Sequence, residues 1–311
     1  MKEFQEINFY SPINLKSYNL NESMRYQLSM LDSLDVFTRK HSENVANIAC
    51  RLCEYLHLKK SFIIYCTICA YLHDIGKLFI PPAILQKPSA LTPEEYEIIK
   101  THTTIGYEMC MKDPQLRPYS AGPKFHHEAL NGTGYPEGLT KKDIPLEGQI
   151  IRVADEFDAI VSKRQYKTHI GVKDTLKILI DETTPKSVAL KTMEENAKMG
   201  KINSKVVRAL IKVVIDDINY EISCIMDYTK YLDVQAKRLE EINKLVIKMN
   251  NTKNKNKRDL YEETVKLMFE KGEDFKNYKY VLEDYRTAYL KRKEIIDSLF
   301  QEIKDIKKLR V

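Results

Sequence analysis

The sequence has few glycines and prolines, and those it has are unevenly placed. Seven of the ten glycines lie between Gly76 and Gly148, and nine of the eleven prolines lie between Pro81 and Pro145. After Lys201 there is one glycine and no proline. Because both residue types interrupt regular structure, this distribution predicts a turn-rich middle followed by a long helical tail.

The sequence also lacks a segment that would direct it out of the cell or into a membrane. Its first residues contain no apolar stretch of the signal-peptide kind. The longest apolar run, residues 62–72, is shorter than the roughly 18 residues that a membrane span needs. We therefore expect no membrane span and a cytoplasmic location.

Six cysteines are present, and a reducing cytosol would keep them as free thiols. Two Cys-x-x-Cys pairs, at Cys50/Cys53 and Cys66/Cys69, have a spacing that superficially resembles a four-thiolate zinc site. Both pairs fall in apolar, helix-like segments rather than in turns. The pattern therefore favours small core residues over zinc ligands.

Charge divides the chain sharply. Residues 1–200 carry 25 basic and 25 acidic residues, whereas residues 201–311 carry 25 and 19, so the net charge of +6 belongs to the tail. A lysine-rich stretch at 250–259 could contact nucleic acid or anionic lipid, but it has little aromatic interleaving. Solvated charge is the favoured interpretation, and a nucleic-acid partner is not expected.

The hydrophobic pattern predicts an all-α chain, because no segment shows the sustained alternation of a strand. The sequence Thr92-Pro93-Glu94-Glu95 has the N-cap, the first-turn proline and the acidic residue of a capping box. It predicts a helix that continues through His102. The other predicted helices span about 35–56, 60–73, 150–161 and 174–180, and one more begins at Ser204.

The tail has a heptad pattern from about Ile218. Its two seams are Ile222, Thr229, Ala236 and Asn243, and Ile225, Leu232, Leu239 and Val246. The stretch 250–259 is predicted to break the helix. A second helix is predicted from Leu260, with Ile295, Leu299, Ile303 and Ile306 on one face, forming a helical hairpin or coiled coil.

The residues that carry chemistry surround the run Leu72-His73-Asp74-Ile75-Gly76-Lys77. A neighbouring histidine and aspartate offer one nitrogen ligand and one carboxylate that can bridge two cations. Four further elements contribute potential ligands: His41, His102, the pair His126-His127 followed by Glu128, and Asp155. Burying so many ionisable groups without a cation would be costly, so a metal centre is predicted. His57 and His169 lack such partners and are interpreted as ordinary surface histidines.

Four motifs, HDIGK, LTPEEYEIIKTHTTIGYEM, HHEALNGTGYP and IIRVADEFDAIVSKRQYK, occur in this order within residues 31–216. In this region the chain resembles the HD-GYP family of metal-dependent cyclic dinucleotide phosphodiesterases. The resemblance implies an HD-domain helical bundle around a metal centre. It divides the chain into a leader at 1–30, a catalytic domain at 31–216 and a C-terminal helical region at 217–311.

The resemblance implies two divalent metal ions, iron or manganese. His41, His73, Asp74 and Asp155 match the ligands of one metal, while His102, His126 and His127, with Asp74 bridging, match those of the other. Asp74 and Lys77 are the implied catalytic residues. The implied substrate contacts are Lys77, Tyr135, Arg164 and Lys167, and Glu128 is expected to orient a histidine ligand without binding the metal itself.

One position departs from the family pattern. Some members hold a third metal with a glutamate four residues before the first histidine, but this position is Phe37 here. A phenyl ring cannot bind a metal ion in this way. We therefore expect two metals rather than three, unless Asp35 or Glu43 substitutes for the missing glutamate.

The resemblance implies hydrolysis of cyclic di-GMP to linear pGpG, and on to GMP. Three alternatives stay open: a cyclic GMP-AMP hydrolase, a general HD nucleotidase, and a weakly catalytic nucleotide-binding signalling module. The expected partners are a cyclic dinucleotide substrate, a second copy of the chain through the C-terminal helices, and a signalling protein at the GYP loop.

Overall fold

The computed structural model describes residues 36–162, 171–184, 200–269 and 277–311, with the side chains of 36 and 37 excepted. Within these ranges the chain is helical, with an isolated antiparallel bridge between Asn131 and Thr140 as the β-type pairing. The all-α prediction is confirmed. The leader at 1–30, the side chain of Phe37, and Arg164, Lys167 and His169 lie outside the described residues.

The helices are numbered in chain order. The first eight are α1 (Val36–Tyr55), α2 (Lys60–Leu72), α3 (Pro82–Leu85), α4 (Pro93–Lys100), α5 (His102–Lys112), α6 (Ala121–Phe125), α7 (Leu146–Val161) and α8 (Val172–Glu182). Three more follow: α9 (Ser204–Asn251), α10 (Lys255–Met268) and α11 (Tyr278–Lys307). Single 3₁₀ turns occur at Ile75–Phe79 and Arg117–Tyr119.

The chain divides into two compact units. The first comprises Met1–Val213 with Leu309–Val311, and the second comprises Val214–Lys308. The boundary at residue 216 that the motifs predict stays a prediction.

Helix α2 is the central element of the first unit and packs against α1, α6 and α7. The sequence explains this position, because nearly every residue of α2 is apolar or small and eight of its thirteen residues are buried. The segment Lys60–Phe79 is long and apolar enough to cross a membrane by length and composition alone, but 67% of its apolar window is buried inside the structure. This burial is that of a core helix in the bundle.

The four paired cysteines lie in this core, which confirms that they are packing residues. Cys50, Cys53, Cys66 and Cys69 are buried free thiols. Burial also raises the pKa of the Cys69 thiol well above its ordinary value, so it does not form the thiolate that binds zinc. All six cysteines lie within the described residues and are free thiols.

The capping box at Thr92 is present as predicted. The Thr92 hydroxyl accepts a hydrogen bond from the Glu95 amide at 3.2 Å, and the Glu95 carboxylate accepts one from the Thr92 amide at 2.8 Å. The helix ends at Lys100 rather than continuing through His102. A new helix, α5, begins at His102, so this histidine lies at a helix start.

Two glycines allow segments of the first unit to touch backbone to backbone. A Cβ on Gly76 would lie 2.0 Å from the carbonyl oxygen of His102, and one on Gly122 would lie 2.0 Å from that of Cys69. The 3₁₀ turn after α2 therefore packs directly on α5, and the start of α6 packs directly on α2. Any other residue at these positions would force the segments apart.

The tail contains three helices in the described residues, not the two that the sequence predicts. The break is confined to residues 252–254, because Asn254 caps α10 by accepting a hydrogen bond from the Lys257 amide at 3.2 Å. Most of the lysine-rich stretch is therefore helical. The predicted helix start at Leu260 is wrong by five residues.

The three helices bury a shared apolar core. Leu239 and Ile242 of α9 pack with Val265 of α10 and with Tyr278 and Leu282 of α11. None of the eight predicted seam positions of α9 is exposed. On α11, Ile303 and Ile306 are buried as predicted, but Ile295 is 40% exposed, so the predicted apolar face does not extend that far towards the N-terminus of the helix.

Candidate metal centre

The predicted ligands converge from five segments of the first unit. His73 and Asp74 follow directly after α2, His102 begins α5, and His126 and His127 follow α6. His41 lies on α1 and Asp155 on α7. All of these residues except His127, which is partly exposed, are buried.

Three overlapping groups of these side chains are close enough to hold a metal ion, with candidate ligand atoms within 4.8 Å of one another. The groups are His41, His73 and Asp155; His73, Asp74 and His126; and His102, His126 and His127. Asp74 lies centrally. Its Oδ2 is 3.3 Å from His73 Nε2, and its Oδ1 is 3.3 Å from His102 Nε2.

In three of the histidines, a hydrogen bond to a nearby backbone carbonyl determines which ring nitrogen carries the proton. Nδ1 of His73 lies 2.7 Å from the carbonyl oxygen of Ala70, and Nδ1 of His102 lies 2.6 Å from that of Ile99. His126 Nδ1 lies 2.9 Å from the carbonyl oxygen of Gly122. Because a carbonyl can only accept, each Nδ1 carries the proton. In the neutral ring, each Nε2 then presents a lone pair to the centre.

This arrangement fits a metal ion and is unfavourable without one. His102 Nε2 and His126 Nε2 lie 3.1 Å apart, so two lone pairs face each other when both rings are neutral. His73 Nε2 and Asp74 Oδ1 are buried and have no hydrogen-bond partner. Unpaired buried acceptors cost free energy unless a donor or a cation satisfies them. The donor set of imidazoles and carboxylates suits a transition metal.

Burial sets the protonation of the second group of histidines. It lowers the pKa of His102 to about 4 and that of His127 to about 3. It also holds the pKa of His126 well below its ordinary value. These rings are therefore neutral at pH 7, which is the protonation state that binds a metal.

His41 differs, because two carboxylates of α7 flank its ring. Its Nε2 lies 3.0 Å from Asp155 Oδ1, and its Nδ1 lies 2.6 Å from Asp158 Oδ2. Burial alone would lower the pKa of His41, but these two hydrogen bonds outweigh burial and raise the pKa to about 9. The hydrogen bond from His41 in turn outweighs the effect of burial on Asp155 and holds its pKa well below the usual range.

Asp158 contacts a predicted ligand, and the sequence reasoning missed it. It is buried, and besides His41 it accepts hydrogen bonds from Asn44 at 3.0 Å and Ser162 at 2.8 Å. It therefore orients a predicted ligand from the side away from the centre. The available signal was its position three residues after Asp155, one turn along the same helix.

Lys77 lies beside Asp74, as its spacing predicts, and its ammonium donates a hydrogen bond to Asp74 Oδ2. Burial alone would raise the pKa of Asp74. The nearby His73 ring and Lys77 ammonium outweigh burial and hold that pKa well below the usual range. Asp74 is therefore ionised at neutral pH.

The GYP loop lies against the histidine pair. The Tyr135 ring stacks on the His127 ring, with 4.6 Å between ring centroids and 20° between planes. Glu128 lies behind this loop, where its two carboxylate oxygens accept hydrogen bonds from the amides of Glu137 and Leu139, both at 2.8 Å. In this structure Glu128 thus fixes the loop backbone, and Asp158 is the carboxylate that orients a histidine.

Arg152 of α7 holds the backbone at the histidine pair. Its guanidinium donates to the carbonyl oxygens of His127 at 2.9 Å and Glu128 at 3.1 Å, and to the Glu156 carboxylate at 2.5 Å. The side chain is only 12% exposed. The sequence reasoning also missed this contact. Arg152 is the third residue of the motif that begins at Ile150, and nothing in its spacing distinguishes it from a solvated arginine.

A helical bundle that gathers buried histidines and aspartates from five of its segments defines a candidate metal-binding protein of the HD kind. The sequence profile of the HD domain family matches residues 25–188, more than half of the chain. The chain belongs to the HD domain family.

Two named relatives are similar to the chain over part of its length. The chain is 43% identical over 143 residues to a cyclic di-GMP phosphodiesterase of Thermotoga maritima, a match that covers 45% of this chain and 39% of the relative. It is 33% identical over 150 residues to 3'3'-cGAMP-specific phosphodiesterase 3 of Vibrio cholerae, covering 48% of this chain and 33% of the relative. These relatives confirm the HD-GYP resemblance of the motifs. The chain spans about two fifths or less of their length.

A solved structure, that of Bd1817, a HDG"Y"P protein from Bdellovibrio bacteriovorus, is also similar. The TM-score is 0.45 at 20% identity, and the match covers 66% of this chain and 65% of that chain.

Proposed function

We propose that this chain is a metal-dependent phosphodiesterase that hydrolyses cyclic di-GMP to linear pGpG. The observation that carries the proposal is the convergence of Nε2 lone pairs from His73, His102 and His126 on the ionised Asp74 carboxylate. Named cyclic dinucleotide phosphodiesterases among the relatives support the substrate class. Further cleavage to GMP is part of the same proposal.

Two divalent ions, iron or manganese, are proposed as cofactors. His41, His73, Asp74 and Asp155 would hold one, and His102, His126 and His127 would hold the other, with Asp74 between them. When bound, such ions supply a water nucleophile at neutral pH and positive charge that stabilises the phosphodiester. A count of two rather than three follows from Phe37 at the position of the third-metal glutamate.

The chain's own residues bind and orient the substrate. The Lys77 ammonium, beside Asp74, binds a phosphate oxygen and offsets the charge that develops there. Burial raises the pKa of the Tyr135 phenol well above its ordinary value, so the hydroxyl stays protonated and can donate to the substrate. Asp158 keeps a proton on His41 Nδ1 and directs Nε2 towards the centre. Arg164 and Lys167 are proposed phosphate contacts outside the described residues.

The direct test is metal content and cyclic di-GMP turnover on one anaerobically purified sample. We expect about two ions per chain and formation of pGpG. Asp74→Ala should abolish turnover, while Asp174→Asn, at an exposed aspartate of α8, should not change it. Three tightly bound ions would contradict the two-metal count.

The same assay separates the alternatives. A higher kcat/KM for cyclic GMP-AMP than for cyclic di-GMP would favour the hybrid substrate. Turnover of a nucleoside monophosphate alone would favour a general nucleotidase. A loaded protein that binds cyclic di-GMP through Asp74 but hydrolyses nothing would favour the signalling module.

Two further parts of the proposal concern assembly and location. The C-terminal helices are proposed to form a homodimer, because they expose large apolar side chains. At least half of the surface of Tyr231, Val234 and Leu290 is exposed. Sedimentation velocity of the full chain tests this. A cytoplasmic location is supported by the six free cysteines, and a signalling partner at the GYP loop stays a prediction.

A further inference from the structure

A lysine ammonium lies over two tyrosine rings at the edge of the metal centre. The Lys100 ammonium, at the end of α4, lies 4.9 Å from the centre of the Tyr96 ring and 5.6 Å from that of Tyr135. Its side chain is 27% exposed, and it pairs with the exposed Glu97 at 2.6 Å. Because Glu97 is exposed, solvent weakens this pair, and the ammonium can exchange Glu97 for another anion.

Tyr135 links this lysine to the centre. The ring that Lys100 approaches is the one stacked on His127, so one aromatic ring separates the ammonium from the predicted ligands. The position also differs from that of Lys77, which lies beside Asp74 and is the proposed contact of the phosphate at the metal centre. The edge of the centre therefore carries a second positive charge beside an aromatic surface.

Resting on the proposed function, we propose that Lys100 binds the second phosphodiester of the cyclic dinucleotide, the one that is not being cleaved. A cyclic dinucleotide carries two phosphodiester anions on one ring, so when one reaches the metal centre the other must lie nearby. The two tyrosine rings restrict the lysine before binding, which reduces the entropy lost when it contacts phosphate. Tyr96, which is 46% exposed, offers its ring beside this phosphate.

The chain offers a matched control lysine. Lys124 also lies over two aromatic rings, at 5.0 Å from Tyr107 and 5.3 Å from Phe125. It pairs with Glu137 at 3.1 Å and is 25% exposed. Lys124→Gln therefore removes a similarly packed and similarly exposed charge over a different pair of rings.

The experiment uses the full, Mn²⁺-loaded chain and two substrates. Bis(p-nitrophenyl) phosphate has a single phosphodiester and reports on the metal centre alone. Cyclic di-GMP is measured both as a substrate and as a competitive inhibitor of bis(p-nitrophenyl) phosphate hydrolysis. The inhibition constant reports binding whether or not the dinucleotide is cleaved.

We expect Lys100→Gln to raise the inhibition constant of cyclic di-GMP about tenfold, as for loss of one charge-assisted hydrogen bond. Hydrolysis of bis(p-nitrophenyl) phosphate should be unchanged. Lys100→Arg should retain affinity to within about threefold, and Lys124→Gln should match the wild type.

The outcomes separate this inference from the proposed function. An unchanged inhibition constant in Lys100→Gln, or an equal loss in Lys100→Arg, would overturn the inference while leaving turnover intact. Inhibition without turnover, weakened by Lys100→Gln, would overturn the proposed activity and support the phosphate site. Absence of any inhibition would overturn both.

Discussion

The contact between Asp158 and His41 can be tested by removing one charge without changing the shape of the side chain. In Asp158→Asn the carboxylate becomes an amide whose oxygen can still accept from His41 Nδ1. The amide nitrogen would then face Asn44 and Ser162. Asn44 can adapt by turning its own amide, because its Oδ1 has no hydrogen-bond partner. The variant should therefore fold, and its effect should come from the lost charge.

The expected magnitude follows from the burial of the pair. His41 and Asp158 are 8% and 6% exposed and their nearest polar atoms are 2.6 Å apart, so solvent screens their interaction weakly. Loss of a carboxylate that orients a histidine ligand typically weakens metal binding 10- to 100-fold, or about 1.4 to 2.7 kcal/mol. For a pair this buried we expect the upper half of that range.

The assay is titration of the metal-free chain with Mn²⁺ in competition with a chelator, with thermal unfolding as a check of folding. Asp174→Asn is the matched control, because Asp174 is an exposed aspartate of α8 whose carboxylate pairs with Lys177 at 2.8 Å. It should bind Mn²⁺ as the wild type does. If Asp158→Asn bound Mn²⁺ equally tightly, the role assigned to Asp158 would be refuted.

Three other predictions concern stability and positioning. Leu239→Ala should destabilise the C-terminal unit by about 2–5 kcal/mol in urea unfolding, whereas Leu267→Ala, at a leucine that is 86% exposed, should change it by less than about 0.5 kcal/mol. Arg152→Met should weaken Mn²⁺ binding about tenfold, with Arg152→Lys intermediate, and wild-type affinity in both would contradict the positioning role. The metal-free chain should have its highest melting temperature near pH 6.5. Below this pH the unfolded chain binds a proton that His102 (folded pKa about 4) does not, and above it the unfolded chain loses the proton that His41 (folded pKa about 9) keeps. A melting temperature that is flat from pH 5 to 9 would contradict these assignments.

The sequence identified the residues of the centre because each is a chemically distinctive side chain in a recognisable motif. His73, Asp74 and His102 could be named without any structure, and the structure brings them together. Asp158 could not be named, because a single acidic residue on a helix has the same pattern as a solvated one. Its role depends on the packing of α1 against α7, which joins residues 117 positions apart.

The fold was predictable where local signals were strong. The capping box at Thr92 and the helix start at Ser204 rest on neighbouring residues, and both are present. The tail was less predictable, because lysine, asparagine and arginine are compatible with both a loop and an exposed helix. The chain is helical rather than a loop from Lys255, where α10 begins, because this helix buries Val265 in the core of the tail.

The glycine contacts around the centre affect how the protein can change during evolution. At Gly76 and Gly122, one backbone lies directly on another, so the spacing of the segments that carry His73, His102 and His126 does not depend on side-chain volume. Elsewhere in the bundle, a larger apolar side chain at one position can be offset by a smaller one beside it, and the separation of these segments does not change. A substitution at either glycine cannot be offset in this way, because no smaller neighbouring side chain can restore space between two backbones. In related sequences we therefore expect many substitutions among the apolar core residues and few at these two glycines.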